Sequence, residues 1–494
     1  MANLPIIFED HAAARFRPLA WSTPCYEVRC GMFNTRERIA MACADRGVDE
    51  AKLGGLLPRS LLAPLHGVPD WFVGGEQVAS AITNSDRCLW LSGRLAPDHD
   101  LLAGLLAEAD ALKDFAWLDE QGLLAASLST EVSLRLLAAW QEWEQQAAAV
   151  GCWRRPDLTV QPWDPTQILE FLPLQDGLGD SRVLAADAGL AARLPRLVAV
   201  GEKPSLDWIW DIVPATAQAL RGDLVAVSGG RNFRRTLFGI SPEPSAPAPA
   251  WAQTTRLDPA TQLAPRWLAS VPIQGDPADL WLADGVWIAP GTSIDTRRGP
   301  VILDRDVQVA PHCLLEGPLY VGAGSSIKAG ARIYGETSLG AVNRVAGEIG
   351  ESTFGDYANK QHDGFIGHGV LGSWINLGAT TTCSDLKNNY GKIRVDLGWG
   401  ELATDKQFVG LLLGDHAKTA IGTLFNTGTT VGFATNIFGP EMPPKYVGNF
   451  RWGGQSDGPA YATDRAIETA EVVMSRRGCV FGDEHRQLFM ALSD

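Results

Sequence analysis

The chain has 494 residues, more than one ordinary core accommodates, so at least two domains are expected. Hydrophobic residues make up 46% and charged residues 20%, a globular balance that excludes a disordered chain. The net charge of −15 argues against a broad nucleic-acid surface, while leaving room for a local basic cluster that holds a phosphate.

The eight cysteines are scattered and none forms a C-x-x-C pair, so neither a zinc knuckle nor a disulfide framework reads out. A reducing cytoplasm fits this usage. Glu9, Asp10 and His11 interrupt the first apolar run too early for a secretory signal. The apolar stretch from Leu101 contains Glu108, Asp110, Lys113 and Asp114, which excludes it as a membrane span. A soluble, cytoplasmic protein with neither a nucleic-acid nor a membrane partner is the expectation.

Residues 1–240 mix strand and helix patterns. Leu4 to Phe8 reads as a buried strand, and so does Cys88 to Leu91, which runs into Ser92-Gly93-Arg94. Leu101 to Leu112 and Glu131 to Ala149 carry helical spacing, and Leu197 to Val200 reads as a further strand. Strands alternating with helices predict an α/β domain with a mainly parallel sheet. At Ser241 the composition changes. The run Ser-Pro-Glu-Pro-Ser-Ala-Pro-Ala-Pro holds neither a helix nor a central strand, and 241–275 reads as a Pro-rich linker.

A strict period follows. Val309, Leu315, Val321, Ile327, Ile333, Leu339 and Val345 lie six residues apart. Ile288 and Ile294 precede them in the same pattern, and Phe425, Val431 and Ile437 resume it. A period of six fits neither a helix nor a flat strand. It fits a left-handed parallel β-helix of hexapeptide repeats, in which each inward aliphatic stacks on its equivalent in the next coil. Gly322, Gly330, Gly335 and Gly340 lie near its corners. This domain is expected over 276–445, with an interruption from Thr380 to about Ile421 that leaves one face as a loop. A C-terminal extension, 446–494, carries helical spacing from Ala460 to Leu492, with Asp464 as a candidate N-cap. Such a β-helix exposes flat sides, and three chains can bury them against one another, so a homotrimer is expected.

Three segments carry a resemblance: Asn359-Lys-Gln-His-Asp-Gly-Phe-Ile-Gly367, Ile375-Asn-Leu-Gly-Ala379 and Asn388-Asn-Tyr-Gly391. They resemble the acetyltransferase domain of the bifunctional N-acetylglucosamine-1-phosphate uridyltransferase/glucosamine-1-phosphate acetyltransferase. A bacterial group of sugar nucleotidyltransferases related to that enzyme is a closer match. Its N-terminus resembles Arg17-Pro-Leu-Ala-Trp-Ser-Thr-Pro-Cys-Tyr-Glu-Val-Arg-Cys-Gly31 here. The resemblance covers about 286–440 and 1–40 best. It implies nucleotidyl transfer from a nucleoside triphosphate to a sugar phosphate, with Mg²⁺, and acetyl transfer from acetyl-CoA to a sugar amine. The corresponding nucleotide sugar is UDP-N-acetylglucosamine. The resemblance also points to a trimer.

On that resemblance His362 takes the position of the catalytic base, Asn376 that of a substrate-holding Asn, Tyr390 that of a Tyr that helps close the site, and Asn388 that of a further substrate-binding residue. Acyl transfer to an amine needs a group that removes a proton near neutrality, and a His suits this. The same residue types also serve structure: His362 in a coil corner, Asn376 as a corner Asn in left-handed geometry. His368 and His416 are further candidates for the base.

The sequence also departs from the family. Glu348-Ile-Gly-Glu351 lacks a phosphate-holding Lys, and Lys328 stands where an Arg is usual. Phe8-Glu-Asp10 replaces a Gly-rich phosphate loop, leaving Arg15, Arg17, Arg29, Arg36 and Arg38 either as a phosphate-binding stretch, with Arg15 and Arg17 foremost, or as a solvated face. Ser92-Gly93-Arg94 stands where a Gly-Asp would hold Mg²⁺, and Asp211 is a candidate replacement carboxylate or a helix N-cap. An alternative reading is a trimeric scaffold that binds nucleotide sugar without turnover, or an enzyme active only in its β-helix.

Overall fold

The computed structural model describes residues 3–46, 53–65, 70–111, 114–153, 162–169, 174–175, 182–185, 204–229, 231–455 and 458–493. The chain divides into two compact units. One comprises Met1–Phe16, Thr23–Val28 and Asn34–Asp207, the other Arg17–Ser22, Arg29–Phe33 and Trp208–Asp494.

Among the described residues the first unit holds eight strands: β1 (Asn3–Phe8), β2 (Gly54–Leu57), β3 (Trp71–Val73), β4 (Arg87–Ser92), β5 (Phe115–Asp119), β6 (Gly122–Ser129), β7 (Leu174–Gln175) and β8 (Arg182–Ala185). Their order is β3-β2-β1-β4-β6-β5-β8-β7. The four strands β3-β2-β1-β4 are parallel, and β6, β5, β8 and β7 continue the sheet antiparallel. Leu4, Ile6, Ile7 and Phe8 of β1 are buried on both faces, which explains the unbroken apolar run. The helices are α1 (Thr35–Ala44), α2 (Gly75–Thr83), α3 (His99–Asp110) and α4 (Thr130–Ala149). Asn34 and Glu37 close α1 with a reciprocal capping box, and Asp98 caps α3. Because β1 lies between β2 and β4, the strand order reverses there, and the carboxyl ends of these strands form the crevice where open α/β sheets bind ligands. The strand expected at Leu197 to Val200 lies outside the described residues.

The second unit is a parallel β-helix. Its coils align in three stacks of short strands, and the six-residue period is the step from one stack to the next. Leu303, Val321, Leu339, Phe354, Leu371, Leu413, Val431 and Val447 form one register column. Ile294, Leu315, Ile333, Ile349 and Ile366 form a second. Ile288, Val309, Ile327, Val345 and Lys360 form a third. The period ends at Val345 because the next coil is shorter, and its inward positions fall at Ile349, Phe354 and Lys360. Gly330 takes the left-handed backbone of a corner, whereas Gly322 is required by close approach: a Cβ there would lie 2.5 Å from the Gly340 carbonyl.

Two boundaries differ from the sequence reading. The continuous part of the second unit runs from Trp208, not from near 240, and two earlier segments belong to it. The helix Ile212–Val227 packs on the outer face of the strands Leu319–Val321, Thr337–Leu339 and Thr353–Phe354. That face needs cover, and Gly31 completes it, its carbonyl accepting from Ser338 Oγ at 2.6 Å. The Pro-rich stretch is likewise packed. Ser241–Pro242 pairs with Cys479–Val480, Asp258–Pro259 pairs with the strand Leu280–Leu282, and buried Trp251 donates from Nε1 to Tyr357 Oη at 2.9 Å. In the C-terminal extension the helix Thr463–Ser475 starts from Ala462, so Asp464 lies in its first turn and is not the N-cap.

The columns set the stability of this unit. Leu339 is fully buried between Val321 and Phe354. Leu339→Ala is expected to lower unfolding free energy by about 2–5 kcal/mol, read as an earlier urea midpoint with an unchanged slope.

Candidate functional site

In the β-helix the strand Asn359–Lys360 turns through an exposed His362 into the strand Phe365–Gly367. Two interactions shape this corner. Asn359 donates from Nδ2 to Asn376 Oδ1 at 2.5 Å, while its own buried Oδ1 has no hydrogen-bond partner among the described residues. Lys360 points inward, 2% exposed, in a column that otherwise carries aliphatics before it. Its Nζ donates to Ala346 O at 2.9 Å and His362 O at 3.1 Å. Desolvation pulls the Lys360 ammonium down to about 8, against the opposing pull of Asp363 and Glu348.

Asn376 is not a left-handed corner residue. It sits in the ladder between Asn359 and Lys418, with its side chain exposed. Lys328 follows the strand Ser326–Ile327 and is half-buried on the same stack, coils away from His362. Asn388 and Tyr390 belong to the excursion between Cys383 and Leu412. Tyr390 is 69% exposed, and Asn388 lines a cleft of about 390 Å³ with Ser384, Leu386, Lys387, Asn389 and Asn426. Within one chain this loop docks on the corner of His368. His368 Nδ1 lies 2.8 Å from Asp385 Oδ2, the ring stacks on Phe408 at 4.8 Å, and Glu351 Oε2 is 3.8 Å away. Nothing in the sequence pairs His368 with another residue. The structure gives it a carboxylate that fixes its tautomer, whereas the exposed His362 ring has no such partner among the described residues. His416 is a core residue: it is buried against Phe433 and Phe489, and desolvation holds it well below the usual histidine range. A neutral, enclosed imidazole of this kind is packing and not a base.

In the first unit the strand ends carry charge where a Gly-rich loop was absent. Glu9, after β1, is fully buried. Its Oε1 accepts from Cys25 N at 2.8 Å and its Oε2 from Arg59 Nε at 3.1 Å. Arg94, after β4, is 1% exposed. Its terminal nitrogens donate to both oxygens of Asp119 at 3.2 Å, its Nε is 3.9 Å from Asp10 Oδ1, and its Nη1 is 3.8 Å from Asp207 Oδ1. Burial works against this guanidinium's charge, but Asp10, Asp119 and Asp207 outweigh it and hold it above the usual range. Burial pulls down His11, beside Asp10, and Arg15, which lies within the field of the same carboxylates. Asp119 and Asp207 escaped the sequence reading. The available signal was Arg94 itself, since an arginine at the end of a buried strand requires carboxylate partners.

The five arginines do not form one face. Arg15 belongs to this cluster. Arg17 counts with the second unit, 2% exposed, its guanidinium over the rings of Trp21 at 4.0 Å and Trp399 at 5.0 Å. Arg29 pairs with Asp356 at 3.1 Å, Arg36 with Glu27 at 2.5 Å, and Arg38 is buried. Asp211 is also placed differently from the metal reading. It lies in the second unit, where Oδ2 accepts from Trp208 N at 3.1 Å and Oδ1 is 3.6 Å from Lys406 Nζ. It precedes the helix Ile212–Val227 without capping it through its side chain. The residues do not fit a Mg²⁺ site: Arg94 stands among the carboxylates of the first unit, and the described residues contain no group of three His, Cys, Asp or Glu arranged to hold a metal.

The chain matches the family model for sugar nucleotidyl transferase over residues 5–232. It is also similar to the bifunctional protein GlmU of Kineococcus radiotolerans, with 24% identity over 295 residues. That match takes in 54% of this chain and 55% of the relative, so the chain spans about half the length of the curated relative it matches.

The buried Lys360 makes a pH-dependent contribution. Its folded-state value near 8 lies below the ordinary 10.5, so between these values the folded chain has released a proton that the unfolded chain still holds, and stability rises with pH. Lys360→Met removes this contribution. The wild-type minus variant unfolding free energy is expected to climb by about 3 kcal/mol from pH 7 to the ordinary lysine range. Chemical denaturation across that range checks it, and a constant difference would contradict a buried ammonium.

Proposed function

We propose that the chain is a two-domain enzyme of nucleotide-sugar metabolism. Its N-terminal unit transfers a nucleotidyl group from a nucleoside triphosphate to a sugar-1-phosphate and releases pyrophosphate. Its β-helix transfers an acetyl group from acetyl-CoA to the amine of a sugar phosphate, and the product series is that of UDP-N-acetylglucosamine. The observation that carries the reading is the match of residues 5–232 to the sugar nucleotidyl transferase family. The similarity to the bifunctional relative supports the second activity.

In the acetyl transfer His362 takes the proton from the attacking amine, Asn376 binds the acceptor, and Lys328 binds its phosphate. Asn388 contacts substrate and Tyr390 helps close the site. The exposure of His362 and of Tyr390 supports access from a neighbouring copy as well as from solvent. The assembly is a cytoplasmic homotrimer, and light scattering should give three times the chain mass.

A second reading has an observation of its own. The carboxylates around Arg94 favour an N-terminal unit that binds nucleotide sugar without turnover. Pyrophosphate release, measured over a panel of nucleoside triphosphates and sugar-1-phosphates, separates the two.

His362→Ala is expected to lower acetyl transfer by about 10²–10⁴-fold, with CoA binding and assembly nearly unchanged. Wild-type acetyl transfer in that variant would move the base to His368, and His368→Ala then becomes the deciding measurement.

A further inference from the structure

Where the excursion leaves the β-helix, two successive coils part company. Thr382–Cys383 pairs in parallel with Leu424–Phe425, and Ser384 N still donates to Phe425 O at 3.0 Å. Beyond that bond the chain takes a different course from Asn426, and the two segments line the cleft of about 390 Å³. None of its lining residues is acidic, in a chain whose net charge is −15.

The wall is rich in donors. Asn389 Oδ1 accepts from Gly391 N at 3.0 Å, and Asn426 Oδ1 accepts from Thr427 N at 2.8 Å. Only the oxygen of an amide can meet a backbone N–H, so both side chains are oriented, and their Nδ2 hydrogens are the unspent end. Lys387 gives one Nζ hydrogen to Lys392 O at 2.8 Å and has no carboxylate partner among the described residues, which leaves two hydrogens and its charge. A second ammonium stands behind the wall. Lys445 donates from Nζ to Thr427 O, and to Thr427 Oγ1 at 3.2 Å. Burial, and after it the charge of Lys387, lower the Lys445 pKa against smaller pulls from Cys383 and Glu401. The acids of the excursion are engaged elsewhere: Asp385 with His368, Glu401 with Arg394, Asp405 with Lys392, and Asp396 with the backbone of Gly398 and Gly400.

Two ammoniums and two oriented amides thus border a space with no anion to answer them. A phosphate answers both kinds of group, because its oxygens accept several charge-assisted hydrogen bonds at once. The space is also larger than that ion needs, since clefts for small organic ligands begin at about 300 Å³. The remaining wall suits hydroxyl groups. The Asn388 amide makes no hydrogen bond among the described residues, and Ser384 Oγ, which donates to Leu386 O at 3.1 Å, is left to accept.

We propose that this cleft binds a phosphate ester of a small hydroxylated molecule, with Lys387, Asn389 and Asn426 holding the phosphate and Ser384 and Asn388 meeting the hydroxyls. Asn388 also serves the acetyl-transfer reading, but the inference concerns binding alone and stands whether or not that reaction is found.

The test is calorimetric titration of the full chain with glucose-6-phosphate, inorganic phosphate and glucose. Phosphates bound elsewhere on the chain are discounted by reading only the binding lost on substitution in the cleft. Asn426→Asp keeps an oxygen for Thr427 N and puts a second, charged oxygen where the Nδ2 hydrogens were. Lys387→Gln removes the charge. Asn426 is exposed and Lys387 half-buried, so neither change touches the core. Each is expected to weaken glucose-6-phosphate binding by about 10-fold or more. Inorganic phosphate should bind less tightly than the ester and be weakened by the same two changes, and glucose should show no binding that either change alters. Glucose-6-phosphate binding that is the same in wild type and both variants overturns the proposal, and so does glucose binding as tightly as its phosphate.

Discussion

Everything in the second unit hangs from the stacking of inward side chains along three columns. Each coil contributes one short strand per stack, too short to be stable alone, and gains its stability only from the coil above and the coil below. Backbone bonds between coils fix the register, and the aliphatics within fix the spacing. Exposed groups such as His362 and Asn376 therefore owe their positions to residues they never touch. The Asn359–Asn376 contact exists because these residues occupy successive rungs of one ladder.

The first unit obeys a different constraint, the cost of a buried charge. Its strand ends hold Glu9, Asp10, Arg59 and Arg94 almost entirely out of water. Each is tolerated because an opposite charge or a backbone donor lies close by. The arrangement is preorganised and leaves little freedom to receive a ligand's charge without displacing an existing pair. A Gly-rich loop would instead offer backbone donors to phosphate and carry no net charge of its own.

Much of the β-helix was legible in the sequence because its period is local. Val309 to Val345 repeat at a spacing that no other regular structure produces. Legibility ended where the coil shortened: Lys360 is an inward residue, but counting in sixes from Val345 gives no reason to look at Ile349 and Phe354 first. The charged cluster was hidden for another reason. Asp10, Asp119 and Asp207 lie far apart along the chain, and only the sheet order brings β1, β4 and β5 into the relation that gathers them. Arg15 and Arg17, two residues apart, look equivalent in sequence. One lies in a field of carboxylates and the other over two indole rings, a difference set wholly by tertiary structure.

The interleaving of the two units before residue 34 bears on how such a gene can be cut or joined. Arg17–Ser22 and Arg29–Phe33 are structural parts of the second unit. Ser22 bonds Asp415 at 2.6 Å, Arg29 bonds Asp356, and Met32 N donates to Asp223 at 2.8 Å. Gly31 has a positive φ and no room for a side chain beside Asp223. Expressing residues from 241 onward would remove these segments along with the helix Ile212–Val227 and strip the outer face of a β-helix sheet. No single scission point yields two complete folding units, because the segments before residue 34 alternate between the two, and a cut that keeps them with one unit takes them from the other.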